Sequence, residues 1–133
     1  MSDFPRVGHI AVTVKNLAVS VPWYERLFGA EPVVDEDEEG GTYHHTLFLI
    51  GDVLIGLHQF VPDVAQDGDA SEFRPGLEHI GFHVGSRADL EAWGARLDDL
   101  GIEHGKVLDR PYGSGLAFRD PDNIQLEFFA PSG

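Results

Sequence analysis

The chain has no cysteine among its 133 residues, which removes disulfides, thiolate metal sites and a cysteine nucleophile together. Any metal must then be held by imidazole, carboxylate or carbonyl groups. Basic residues are scarce too: nine Lys and Arg stand against 23 Asp and Glu, for a formal net charge of −14. That balance repels a phosphate backbone, so it argues against nucleic acid and favours a cationic small ligand. Most of the charge reads as a solvated surface that keeps the protein soluble. The run Asp35-Glu36-Asp37-Glu38-Glu39, abutting Gly40-Gly41, reads as an exposed hairpin tip. No apolar run reaches the length of a membrane span or of a signal-peptide core. The expectation is a soluble, cytoplasmic protein without a membrane partner, and a chain of this length is most simply one domain with a real core.

What is present is an internal repeat. Gly8-His9-Ile10-Ala11-Val12-Thr13-Val14 and Glu78-His79-Ile80-Gly81-Phe82-His83-Val84 are both alternating strands with a histidine at the second position. Each is followed by a helix-like stretch and then by further strands. A fold built by duplication can bring equivalent side chains together at a pseudo-twofold centre, and two equivalent histidines there could bind a metal.

The first half reads as a strand over 6–14, then a helix with Ser20 as N-cap, which places Pro22 in the first turn where its missing N–H costs nothing. Gly29 closes that helix. Strands are expected over 31–36, 42–50 and 53–60, with Gly51-Asp52 as the tight turn between the last two. Residues 61–75, rich in Asp, Gly, Ser and Pro, read as a linker. The second half repeats the order: a strand over 77–84, a helix opened by Ser86 with Asp89 and carrying the stripe Leu90, Trp93, Leu97 and Leu100, then strands over 106–109, 115–119 and 124–130. The fold class is therefore α+β, two β-α-β-β-β modules (5–60 and 76–130) with helices outside curved sheets.

Strand periodicity sorts side chains by face. His9, Ala11 and Thr13 oppose Ile10, Val12 and Val14, and His79, Gly81 and His83 oppose Ile80, Phe82 and Val84. The apolar sets belong against the helices and the histidine sets on the other face. In the last strand Ile124, Leu126 and Phe128 face the helix, which leaves Gln125, Glu127 and Phe129 on the histidine side. A carboxylate among apolar neighbours is costly to leave ionised unless something positive compensates it, and a divalent cation would. Leu54, Gly56, His58 and Phe60 form one set in the fourth strand, which makes His58 a further inward group. Two imidazoles and a carboxylate suit Fe(II), Mn(II), Zn(II) or Ni(II). A single strand histidine is more often a hydrogen-bonded structural residue; His44, His45 and His104, without repeat partners, read as surface or packing residues, and His83 as a pocket hydrogen-bonder or a filler.

Four segments together resemble the vicinal oxygen chelate superfamily: Val7 to Val12, Trp23-Tyr24-Glu25-Arg26-Leu27-Phe28-Gly29, Leu77 to Phe82, and Phe118-Arg119-Asp120-Pro121-Asp122-Asn123-Ile124-Gln125-Leu126-Glu127. That group includes glyoxalase I, extradiol dioxygenases, fosfomycin-modifying enzymes and bleomycin-binding proteins. The resemblance implies paired modules forming a half-open barrel, a homodimer, and metal ligands at His9, His79 and Glu127. Where glyoxalase I carries a fourth ligand, a Glu on the fourth strand, this chain has Gly56. A three-ligand site is closer to the dioxygenase or fosfomycin branch, yet the Thr that the latter carries two residues after its first histidine is Ala11 here.

Two functions follow. In the first, a metal enzyme chelates vicinal oxygens of a small substrate, an α-hydroxycarbonyl or a catechol, with His58 as general acid or base and with Phe60, His83, Tyr112 and Phe129 lining the substrate; the reaction is a ring cleavage or a lyase or isomerase step. In the second, a metal-free dimer sequesters a cationic drug such as bleomycin, with Trp23, Phe60, Tyr112 and Phe129 stacking on it. The retained ligand triad favours the first.

Overall fold

The structure is a computed structural model that describes residues 3–132. Two compact units divide at Gly68/Asp69, inside the segment 61–75. The first holds β1 (His9–Thr13), α1 (Leu17–Phe28), β2 (Val34–Asp37), β3 (Tyr43–Ile50) and β4 (Val53–Phe60). The second holds β5 (His79–His83), α2 (Arg87–Asp99), β6 (Leu108–Arg110), β7 (Gly113–Arg119) and β8 (Gln125–Pro131). Each is a β-α-β-β-β module with one four-stranded sheet, ordered β1-β4-β3-β2 and β5-β8-β7-β6. The first strand of each module pairs parallel with its last, and the remaining pairs are antiparallel.

Helix α1 begins earlier than its proline suggests. Asn16 is the N-cap, its side chain accepting from the Ala18 N–H, and the Leu17 N–H is taken by the Gln59 carbonyl oxygen at 2.7 Å. Asn16, not Ser20, therefore caps the helix, with Gln59 taking one more of its free N–H groups from 42 residues away, and Ser20 is buried inside the helix. Pro22 consequently lies in the second turn, where it removes one backbone hydrogen bond. Gly29, at φ 63°, ends the helix as expected. In the second module Ser86 caps α2 by accepting from the Asp89 N–H. The strands are shorter than the alternation at most ends, although Leu54 N–H donates to Gly8 and Val14 N–H to His58 at either end of the β1 ladder.

Burial follows the strand parity. In the first module Val12, Val14, Tyr24, Leu27, Phe48, Ile55 and Leu57 form the core under α1. In the second, Leu90 and Leu97 of α2 pack with Leu116, Phe118, Leu126 and Phe128 of β7 and β8, and Trp93 stacks on Phe128 at 4.5 Å. Trp23 lies on α1, edge-on to Tyr24 with ring centroids 4.8 Å apart, whereas Phe60 ends β4.

The acidic run is only partly a hairpin tip. Asp35, Glu36 and Asp37 belong to β2, and the turn falls at 38–42. There His44 places one ring nitrogen 2.7 Å from Asp37 and the other 2.6 Å from Asp35. The stretch after the break, residues 69–75, is tied to its own module. Ala70 exchanges hydrogen bonds with Asp122 and Asn123, and Arg119 forms a two-pronged ion pair with Glu72 at 2.9 and 2.6 Å.

Candidate functional site

The face turned away from the helix carries the polar residues in both modules. In the second, β5 and β8 run parallel with His79 opposite Gln125, Gly81 opposite Glu127 and His83 opposite Phe129. The Asp120-Pro121-Asp122-Asn123 turn sets β8 in this register: Asp120 Oδ1 accepts from both the Asp122 and Ile124 N–H groups at 2.8 Å, and Asn123 takes the left-handed conformation at φ 66°. Aimed this way, Glu127 Oε1 lies 3.7 Å from His79 Nε2. Two donors bound to one ion at about 2.1 Å stand roughly 3.4 Å apart in a tetrahedral site and about 3.0 Å apart at an octahedral right angle, so a small side-chain rotation would bring this imidazole and carboxylate to one metal. Opposite them the chain keeps the space open: a Cβ on Gly115 would meet Glu127 Oε2 at 2.8 Å. His79 Nδ1 is 2.8 Å from Glu78 Oε1, which also accepts from the Gln125 amide at 3.1 Å.

Along the same face, Phe129 stacks on Tyr112 with ring centroids 6.0 Å apart. Tyr112 is in the β6–β7 turn and well exposed. Gly113, at φ 153°, lets the Phe129 ring lie against the backbone, where a Cβ would come within 2.4 Å of it. His83, at the end of β5, borders a groove of about 310 Å³ shared with Asp89, Trp93 and Arg96.

The first module carries the equivalent arrangement without the carboxylate. His9 stands opposite Leu54, Ala11 opposite Gly56 and Thr13 opposite His58, so Gly56 occupies the place that Glu127 holds in the second module. That place is filled from the facing strand: a Cβ on Gly56 would meet Leu47 Cδ2 at 2.9 Å and His58 Nε2 at 3.5 Å. His58 is half-buried and sits in an aromatic cluster with Tyr43 stacked on it at 4.7 Å, His45 edge-on at 5.2 Å and Phe60 at 6.4 Å. Burial, reinforced by the neighbouring His45, pushes the His58 imidazole below its usual value and favours its neutral form. His45 in turn is 3.1 Å from Glu36 Oε1.

The structure therefore brings His79 and Glu127 together in one module and His58 and Phe60 together in the other. His9 stands on the repeat-equivalent strand of the first module, and among the described residues no three His, Asp or Glu side chains form an assembled metal-binding group. Sequence reasoning read His45 as a surface or packing residue, and it does pack, against His58 and Tyr43; it did not single out Tyr43 or the contact of Glu78 with His79. A cleft of about 540 Å³ beside Tyr43, His44, Gln59 and Phe60 was likewise unforeseen.

Comparison with known proteins gives the family. Residues 6–128 match the sequence model of the Glyoxalase/Bleomycin resistance protein/Dioxygenase superfamily. Metallothiol transferase FosB from Bacillus licheniformis is 25% identical over 95% of this chain and 75% of its own. Among solved structures, a glyoxylase/bleomycin resistance protein/dioxygenase domain from Frankia sp. EAN1pec is 30% identical with a TM-score of 0.85, covering 98% of this chain and 100% of that one. A mutant of the fosfomycin resistance protein FosX from Listeria monocytogenes, complexed with Mn(II) and 1S,2S-dihydroxypropylphosphonic acid, shares the fold at 22% identity and a TM-score of 0.69, over 97% and 94% of the two chains. The repeated modules, the Asp-Pro-Asp turn and these matches agree: the chain belongs to the glyoxalase, bleomycin resistance protein and dioxygenase superfamily.

Proposed function

We propose that this protein is a metal-dependent enzyme acting on a small substrate with two adjacent oxygens, with His9, His79 and Glu127 as metal ligands and His58 as the acid or base. The observation that carries the reading is the 3.7 Å approach of His79 Nε2 to Glu127 Oε1 in a space that Gly115 keeps clear. His9 supplies the third donor from the repeat-equivalent strand, within one chain or across a homodimer. A divalent ion there acts as a Lewis acid on the substrate oxygens and stabilises the negative charge that develops on them. The relatives named metallothiol transferases support a metal-dependent reaction.

The chain's own residues supply the rest. His58, kept neutral by burial, has a lone pair available near pH 7 and accepts a substrate proton. Tyr43 stacked on its ring at 4.7 Å holds the plane of the imidazole. Phe60, Phe129 and Tyr112 offer flat apolar surface to a planar substrate, and His83 a hydrogen bond at the strand end. Gly56 and the Leu47 methyl over it argue against the four-ligand glyoxalase arrangement, and Ala11 argues against fosfomycin. The screen has to separate ring cleavage from a lyase or isomerase step, with the thiol transfer for which the curated relatives are named as a further arm.

Elemental analysis of freshly purified protein, followed by a screen of catechols, glutathione hemithioacetals and fosfomycin with thiols, tests this. Iron with oxygen uptake on a catechol would assign ring cleavage, and metal-dependent thiol addition to fosfomycin would assign the transferase branch. Zinc or nickel with isomerisation would move the protein to the glyoxalase branch. Absence of any bound transition metal, with tight metal-independent binding of a bleomycin-like cation, would overturn the enzyme reading.

A further inference from the structure

We infer that Glu78, held in place by Gln125, is the positioning residue that fixes His79 as its Nδ1–H tautomer and so leaves the Nε2 lone pair facing Glu127. The inference rests on the metal-site reading above and names a residue that the ligand triad does not include.

The geometry comes first. Glu78 Oε1 lies 2.8 Å from His79 Nδ1, and a carboxylate oxygen only accepts, so the proton in this bond sits on Nδ1. A neutral imidazole carries one ring proton, which leaves Nε2 bare. Nε2 is also the nitrogen on the Glu127 side, 3.7 Å from Oε1. Without a partner at Nδ1 the proton would be free to settle on Nε2, where it would point at Glu127 and block coordination. Adjacent residues on a strand face opposite ways, so Glu78 reaches its neighbour's ring only because it lies just outside β5, which starts at His79. Its carboxylate is steadied there by the Gln125 amide at 3.1 Å, and Gln125 is itself the register partner of His79. A carboxylate behind a coordinating imidazole also raises the basicity of the nitrogen offered to the metal; such partners typically change metal affinity 10- to 100-fold. Because Glu78 and His79 are both partly solvated, with side chains 60% and 39% exposed, the lower end of that range applies.

The test reads the tautomer and the affinity separately. Ring ¹⁵N shifts of His79 in the metal-free protein are expected to show protonated Nδ1 and bare Nε2 in its neutral form. Glu78→Ala is expected to move the population toward the Nε2–H form and to weaken Mn(II) or Co(II) binding about tenfold. Glu78→Gln, whose amide can donate to Nδ1 as well as accept from it, is expected to let the Nε2–H form appear and to lose affinity in the same direction. An Nε2–H tautomer in the unaltered protein, or a Glu78→Ala variant with unchanged tautomer, would overturn the inference; so would unchanged affinity in that variant. If the unaltered protein takes up no divalent ion, the metal-site reading fails, and the ring shifts alone decide the role of Glu78.

Discussion

Gly115 gives the sharpest steric test of the site. It lies on β7 on the same face as Glu127, and its φ is not in the left-handed region, so alanine is accepted by the backbone without strain. The added methyl would stand 2.8 Å from Glu127 Oε2 and 3.2 Å from its Cδ. An ordinary carbon–oxygen contact is about 3.3 Å, so the carboxylate must retreat by roughly 0.5 Å, the tolerance within which a coordinating group stays productive. The retreating atoms are the free end of a side chain 29% exposed, so the folding cost stays at or below about 1 kcal/mol, the low end for added bulk. For a chain of this size that is a Tm change of roughly 4 °C. Gly115→Ala is expected to weaken divalent-metal binding about tenfold and Gly115→Val about a hundredfold, measured by titration calorimetry with Mn(II) or Co(II). Thermal melts of the metal-free proteins separate this from unfolding. Wild-type affinity in the valine variant would refute the argument that Glu127 is aimed through the space Gly115 leaves.

Three further outcomes are expected. His58→Gln should lower turnover on whichever substrate the screen identifies by about 10²- to 10⁴-fold while leaving metal affinity intact; an NMR titration of His58 should give a midpoint below 6.5, since burial disfavours its charged form. The β2–β3 hairpin should be firmest between about pH 4 and 6.5. The His44 imidazole is raised by Asp37 and Asp35, so its contribution is full below 6.5 and fades as pH rises through the folded value. The Asp35 carboxyl is lowered chiefly by His44, so its contribution is present above 3.8 and fades as pH falls through the lowered value. Amide exchange across Val34–Asp37 should therefore speed up from about pH 6 to pH 8 beyond its intrinsic rate, and His44→Ala should abolish that excess. Arg119→Ala should release residues 69–75. The Arg119 guanidinium holds the Glu72 carboxyl down to about 2, a contribution present above 4.5 and lost as pH falls toward 2; loss of amide protection at Ala70 is the readout.

Much of the arrangement was legible in the chain because it depends on period-two alternation. The parity of Ile80, Phe82 and Val84 against His79, Gly81 and His83, and of Leu126 and Phe128 against Glu127, sorts the faces without any knowledge of the fold. The start of α1 was within reach, since Asn16 is itself a favoured N-cap type, but the bond from its first N–H to Gln59 was not, because Gln59 is adjacent only after β4 has paired with β1. Tyr43 and His45 were within reach. A two-residue turn at Gly51-Asp52 pairs positions whose numbers sum to 103, which sets His45 against His58 and Tyr43 against Phe60. The contact of Glu78 with His79 carried no periodic signal, because it depends on where β5 begins.

The most direct test of the account is the divalent-metal stoichiometry and affinity of the unaltered protein beside His9→Ala, His79→Ala and Glu127→Ala. The account predicts one ion per chain in the unaltered protein and a loss of at least about a hundredfold in affinity in each variant, with helix and strand content retained. Binding that survives all three substitutions, or no binding before any of them, would contradict it.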